Sequence, residues 1–187
     1  MRVVSAQSDT RRWLVACALA VCAAQTLTAQ SQQGLRVTPL VREGQVWVGF
    51  ELRDGFTPQL RDAIHSGLKT SFTYAVDLRL DVPGWIDRTI GNATVTNTVK
   101  FDNRLAVYAL EHLVDGRLER AENVSDEDLV RTWLTQIDKK PLFRTSLLQA
   151  NREYYVRVSA SARPSNGSIL WPFGSGTSAQ TKFTFIR

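Results

Sequence analysis

The sequence predicts a mainly β protein with two short helices, folded as an antiparallel two-layer β-sandwich-like domain over residues 35–187. Three observations carry this prediction. Tyr154, Val156, Val158, Ala160 and Ala162 alternate with Tyr155, Arg157, Ser159, Ser161 and Arg163. A strand sends successive side chains to opposite faces, so this run has one apolar and one polar face. Phe72, Tyr74, Val76, Leu78, Leu80 and Val82 alternate with Ser71, Thr73, Ala75, Asp77, Arg79 and Asp81 in the same way. Two stretches, 57–66 and 125–137, switch to the period of an amphipathic helix.

The elements follow in order. "LRVTPLV" (Leu35–Val41) alternates but contains Pro39, which cannot donate to a ladder, so it reads as an edge or short strand. "REG" turns the chain into "QVWVGFEL", whose Val46, Val48, Phe50 and Leu52 share a face. Thr57 is placed to cap the first helix, with Pro58 at the first helical position. Leu60, Ile64 and Leu68 form its apolar stripe, and Gly67 can end it in a left-handed conformation. The long strand of "LKTSFTYAVDLRLDVP" comes next; its length suits a strand that bends across the sheet or outruns its edge. "ATVTNTVKF" and "RLAVYALEHLV" follow, joined near "DNR", and Asp115-Gly116 signals a hairpin into "RLER". In "NVSDEDLVRTWLTQI", Ser125 and Asp128 resemble a capping box, and Leu129, Val130, Trp133, Leu134 and Ile137 line one face. "LFRTSLL", the tyrosine-bearing strand and "TKFTFIR" complete the β content.

Leu148 precedes Tyr154 by six residues, and alternation follows. This resembles the tyrosine corner of fibronectin type III and immunoglobulin-like sandwiches, where the hydroxyl bonds back to upstream backbone. The resemblance gives Tyr154 a structural role and leaves Tyr155, on the polar face, with a dispensable hydroxyl. The two helices depart from a plain fibronectin module. Over the longer range, "GQVWVGFELRDGFTPQLRDAIHSGL", "LRLDVPGWIDRTI" with Trp85 and Asp87, and "NREYYVRVSASARP" resemble domain-of-unknown-function family 4390, a family of exported bacterial proteins. Its pattern is a hairpin, a short F-x-x-x-L-x-x-A-x-x-S-G helix, a long strand and a late tyrosine-bearing strand. The resemblance implies an envelope protein and brings no catalytic residue with it.

The N-terminus reads as a secretory signal peptide over residues 1–29. Arg2, Arg11 and Arg12 precede an apolar run from Trp13 to Ala24, and small and polar residues follow. The run is shorter than the roughly 20 residues a membrane-spanning helix needs. Cleavage is expected after Ala29, with Ala24 as the alternative. "TRRWLV" also has the look of a twin-arginine signal, but an ordinary Sec signal fits better because nothing downstream suggests a bound cofactor. "LVAC" ends at Cys17 with too short an apolar core for a lipoprotein signal. Residues 30–34 form a polar linker. Both cysteines, Cys17 and Cys22, lie in the signal, so the mature chain relies on burial rather than disulfides. Cleavage removes three arginines and one aspartate and lowers the net charge from +5 to +3. That mild positivity suits an anionic envelope surface. Without a basic stripe interleaved with aromatics, it does not point to nucleic acid.

The sequence carries little that resembles a catalytic or metal centre. His65 lies three residues after Asp62 on the first helix, a spacing compatible with an oriented general base; a surface histidine near a helix C-terminus is the simpler reading. No G-x-S-x-G motif supplies a nucleophile. His112, beside Glu111, reads as a packed or edge-strand histidine. A zinc set is not expected, and helix capping accounts for the carboxylates of "VSDED" without calcium. Asp77 and Asp81 share a strand face about 13 Å apart, too far for a glycosidase pair. "FGSGTS" lacks the lysine and strand–helix context of a phosphate loop. No cofactor is therefore expected. Asn92, Asn123 and Asn166 open N-x-Ser/Thr triplets; the family resemblance implies a bacterial protein, in which they are expected to be plain loop residues rather than glycosylation sites.

One Pro/Gly/Ser-rich stretch, Arg163–Thr181, holds Ile169, Leu170, Trp171 and Phe173. Loops are normally polar, so these four either close the end of the core or form a contact for an envelope protein or membrane surface. The expected function is a non-enzymatic binding or accessory domain, periplasmic or extracellular after signal cleavage. Alternatives are an envelope hydrolase with dispersed active-site residues and a carrier holding an apolar ligand between sheet and helix. The sequence leaves the oligomeric state open. N-terminal sequencing of the chain from its source should start at Gln30 or near it; recovery from the cytoplasm with Met1 intact would refute export.

Overall fold

A computed structural model describes residues 34–164 and 177–186. The strands are β1 (Leu35–Arg42), β2 (Gln45–Leu52), β3 (Thr70–Leu80), β4 (Arg88–Asp102), β5 (Val107–Val114), β6 (Arg117–Val124), β7 (Gln136–Arg144), β8 (Arg152–Pro164) and β9 (Thr177–Phe185). Helix α1 (Pro58–His65) lies between β2 and β3, and α2 (Glu127–Thr135) between β6 and β7. All neighbouring strands are antiparallel, in a three-stranded sheet β1-β2-β7 and a six-stranded sheet β6-β5-β4-β3-β8-β9. The predicted fold class, two antiparallel sheets with two short helices, is what the chain adopts.

The alternation in the sequence dictates the core. Val46, Val48, Phe50 and Leu52 point inward from β2, Phe72, Tyr74, Val76 and Leu78 from β3, and Tyr154, Val156 and Val158 from β8. The Phe50 and Tyr74 rings meet across the two sheets with centroids 4.6 Å apart. Pro39 lies on β1, an edge strand, where a missing donor costs least. β3 does not outrun the sheet: β8 pairs with it from Thr70 to Leu80, and β4 does so with a register shift between Leu78 and Arg79. Asp115 and Gly116 both have positive φ, 49° and 77°, as a two-residue hairpin turn of this hand requires.

Helix α1 begins and ends as its residues predict. Thr57 Oγ1 accepts from the Leu60 amide at 3.3 Å, with Pro58 at the first helical position. Gly67, at φ +84°, lets its own amide reach the Ile64 carbonyl and the Leu68 amide reach Ala63, the paired bonds of a Schellman ending.

Helix α2 differs from expectation at both ends. Its cap is Asp126, whose carboxylate accepts from the Asp128 amide at 2.9 Å; Ser125 lies outside the helix and does not cap it. Glu127 and Asp128 do occupy the first turn, where the helix dipole favours negative charge. The last helical residue is Thr135, and β7 starts at Gln136 without a loop. Ile137 is therefore a buried strand residue, while Leu129 remains 53% exposed. β7 also replaces the strand expected over 142–148, since Thr145–Leu147 forms a 3-10 turn. The helical period continued past Thr135 in sequence, but pairing with β2 takes over there.

Tyr154 makes the expected corner bond: the Gln149 amide donates to its hydroxyl at 2.7 Å. The feature is local, because a meander β3-β4-β5-β6 beside β8 and β9 is not the strand order of an immunoglobulin-like sandwich. Tyr155 departs from expectation. It too is buried, and its hydroxyl donates to Asp87 Oδ2 at 2.8 Å, because the β3–β4 turn folds over this end of the outer face. Tyr154→Phe and Tyr155→Phe should each cost about 1 kcal/mol of stability, read as a lower urea midpoint. An unchanged midpoint in either variant would remove the corresponding bond from the account.

Candidate functional site

Two places combine geometry with chemistry. The first is built where α2 meets the sheets. The last carbonyls of a helix lack intrahelical partners, and here two strand side chains receive them. Tyr74 Oη donates to the Leu134 carbonyl at 2.6 Å, and Asn97 Nδ2 donates to the Trp133 carbonyl at 2.5 Å. With its amide nitrogen so used, Asn97 presents Oδ1 to His112 Nδ1 at 2.6 Å, which fixes the proton on Nδ1. The other ring nitrogen, Nε2, therefore accepts from the Lys140 ammonium at 2.8 Å, and Lys140 also bonds Glu119. Burial, then the Lys140 charge, hold the His112 pKa below its ordinary value; Glu119 opposes them and Arg120 adds to them. Burial alone drives the Tyr74 hydroxyl far above the usual phenol range.

Asn97, His112, Glu119 and Lys140 of this chain of bonds line a groove of about 670 Å³ beside α2, β6 and β7. The Arg120 guanidinium lies 5.1 Å from the Trp133 ring centroid and bonds Glu122 at 2.6 Å. Trp133 Nε1 is buried with no hydrogen-bond partner among the described residues. Six charged side chains line the groove, Glu119, Glu122 and Asp138 against Arg120, Lys139 and Lys140, so their signs balance. His112 is the packed strand histidine the sequence suggested. The residues that hold it, Asn97, Glu119 and Lys140, were not foreseen.

His65 is not oriented by Asp62. Its Nε2 lies 2.7 Å from Tyr108 Oη and 3.7 Å from Glu127, which also pairs with Arg61 at 2.7 Å. The histidine thus ties α1 to β5 and to the first turn of α2. Asp77 and Asp81 remain on β3 and the turn after it, and Asp81 pairs with Lys182. Among the described residues, no group of three or more histidines, cysteines or carboxylates is placed to hold a metal.

The second place is the β3–β4 turn, "DVPGWID". Trp85 N donates to the Val82 carbonyl at 3.1 Å, with Pro83 and Gly84 (φ +75°) between them. Proline then a left-handed glycine is the pattern of a type II turn, set in advance by both residues. Asp87 braces the base of the turn. Its Oδ1 accepts from Val82 N at 3.3 Å, its Oδ2 from Tyr155, and its carbonyl from Arg79 Nη2 at 3.1 Å. The Tyr155 and Val82 bonds hold the Asp87 carboxyl below the usual range, while burial and Asp87 together raise the Tyr155 hydroxyl. At the tip, Trp85 and Ile86 are each 80% exposed. Trp85 and Asp87 stood in the sequence only as parts of a family pattern; the exposure of one and the bracing role of the other come from the fold. The contact residues expected from sequence, Ile169, Leu170, Trp171 and Phe173, lie outside the described residues.

Fold and sites together define a β-rich two-sheet domain with a polar network between its layers and a braced apolar turn at one end. The chain belongs to the family described as domain of unknown function DUF4390, whose model matches residues 24–166. Neither the curated proteins nor the solved structures yield a match.

The His112 network should make stability depend on pH. The folded state binds this proton less well than the unfolded chain, so its contribution is complete above the free histidine pKa of about 6.5 and declines as pH falls through that value. Between pH 7.5 and 5.5 the urea midpoint of the wild type should fall more than that of His112→Gln. Equal falls would show that His112 titrates freely.

Proposed function

We propose that the chain is exported, loses residues 1–29, and serves in the cell envelope as a non-enzymatic binding domain. The observation that carries this reading is the braced β3–β4 turn, which holds Trp85 and Ile86 in water. Exposing two large apolar side chains on a hydrogen-bonded turn favours association, and their exposure means that they add nothing to the core. The histidines support the same reading. His112 has both ring nitrogens engaged, so it could act as a base only if Lys140 withdrew. His65 is held by Tyr108 and Glu127 in a contact that joins elements. The large groove argues against an apolar carrier: it lies beside α2 rather than under α1, and charged side chains line it.

In a strain of the source organism lacking the chain, wild type, His65→Ala and His112→Gln should restore fitness. Trp85→Ser/Ile86→Ser, present at equal level and with an unchanged melting curve, should not. Failure of a folded His65→Ala or His112→Gln variant would instead favour an enzyme.

A further inference from the structure

We infer that the surface met by the β3–β4 turn is an anionic lipid bilayer, with Trp85 and Ile86 entering its interface; this rests on the binding-domain reading above. The tip is small, two adjacent side chains on a tight turn, each 80% exposed. Such a shape suits insertion by one side-chain length into a headgroup region, roughly 5–10 Å deep. It is poorly suited to a protein interface, which relies on a broad packed patch. Tryptophan is the side chain enriched at the membrane–water boundary, where its ring is apolar and its N–H remains hydrated.

Charge at the same end of the six-stranded sheet points the same way. Three acids lie there, Asp81 and Glu153 beside Lys182 and Asp87 beside Arg79, so two cations already offset most of their charge. Arg88, which follows the turn, and Arg152, at the start of β8, are exposed and have no acidic partner among the described residues. Asp81 N bonds the Glu153 carbonyl, and Arg152 pairs with Phe185, so the turn, β8 and the end of β9 share this end. Ile186, just beyond β9, is 75% exposed and adds an apolar side chain there. Apolar residues flanked by unpaired arginines complement lipid phosphates, and each arginine near such a surface strengthens the attraction.

The test is sedimentation of the full chain with phosphatidylglycerol–phosphatidylcholine vesicles and with phosphatidylcholine vesicles. Residues 1–29 are common to every variant, so differences between variants report on the turn. Trp85→Ser/Ile86→Ser should lower partitioning onto anionic vesicles about tenfold or more. Arg88→Glu/Arg152→Glu should abolish the preference for anionic over neutral vesicles and its sensitivity to salt. Both pairs are exposed, so melting temperatures should hold. If the serine variant sediments like wild type, the lipid inference fails. If that variant still fails to restore fitness, the tip contacts a protein and the binding-domain reading stands. If it restores fitness as well, both readings fall.

Discussion

The structure depends most on how α2 ends. Two of its last carbonyls, those of Leu134 and Trp133, turn to the six-stranded sheet, where Tyr74 and Asn97 take the place of water. Asn97 then sets the tautomer of His112, and His112 receives Lys140 from the other sheet. Each member leaves the next with one allowed role. Removing one would strand a buried donor or acceptor, at a cost of about 1–3 kcal/mol. The apolar layers are adaptable by comparison, since greasy side chains specify volume more than direction. The network therefore fixes how helix and both sheets meet, while the core supplies the driving force.

Much of the fold was legible because most strands are half-buried. β2, β3 and β8 each face the core on one side and water on the other, so burial writes itself into every second residue. Local rules also located the ends of α1, where Thr57, Pro58 and Gly67 act on backbone groups within four residues. They failed at α2. Ser125 and Asp126 are both good caps, and choosing between them takes the chain's actual entry angle. Ile137 fits the helical stripe by spacing, yet a strand about 90 residues upstream captures it. Tyr155 was misread because parity assigns a sheet face and says nothing about what folds over that face.

The candidate sites were less legible, for a related reason. Asn97, His112, Glu119 and Lys140 come from four strands, at spacings that no motif encodes. Each alone is an ordinary polar residue on an ordinary strand. Trp85 and Asp87 were visible as a pair, but apolar residues near a Pro-Gly turn can fold inward as easily as outward. What distinguishes them is the bond from Tyr155, a residue 68 positions away from Asp87.

The register of β7 also has a consequence in time. β3 to β6 form a meander whose contacts close over short stretches of chain. β2, by contrast, pairs Gln45 with Arg144, so its second edge can be satisfied only after most of the chain has emerged. Closing such a long loop is slow compared with forming a hairpin. Until then the β1–β2 hairpin presents an open edge rich in valine and aromatic residues, the kind of edge that recruits other strands. A chain that crosses a membrane unfolded would pass through this state each time it folds. Its vulnerable interval is set by the arrival of β7.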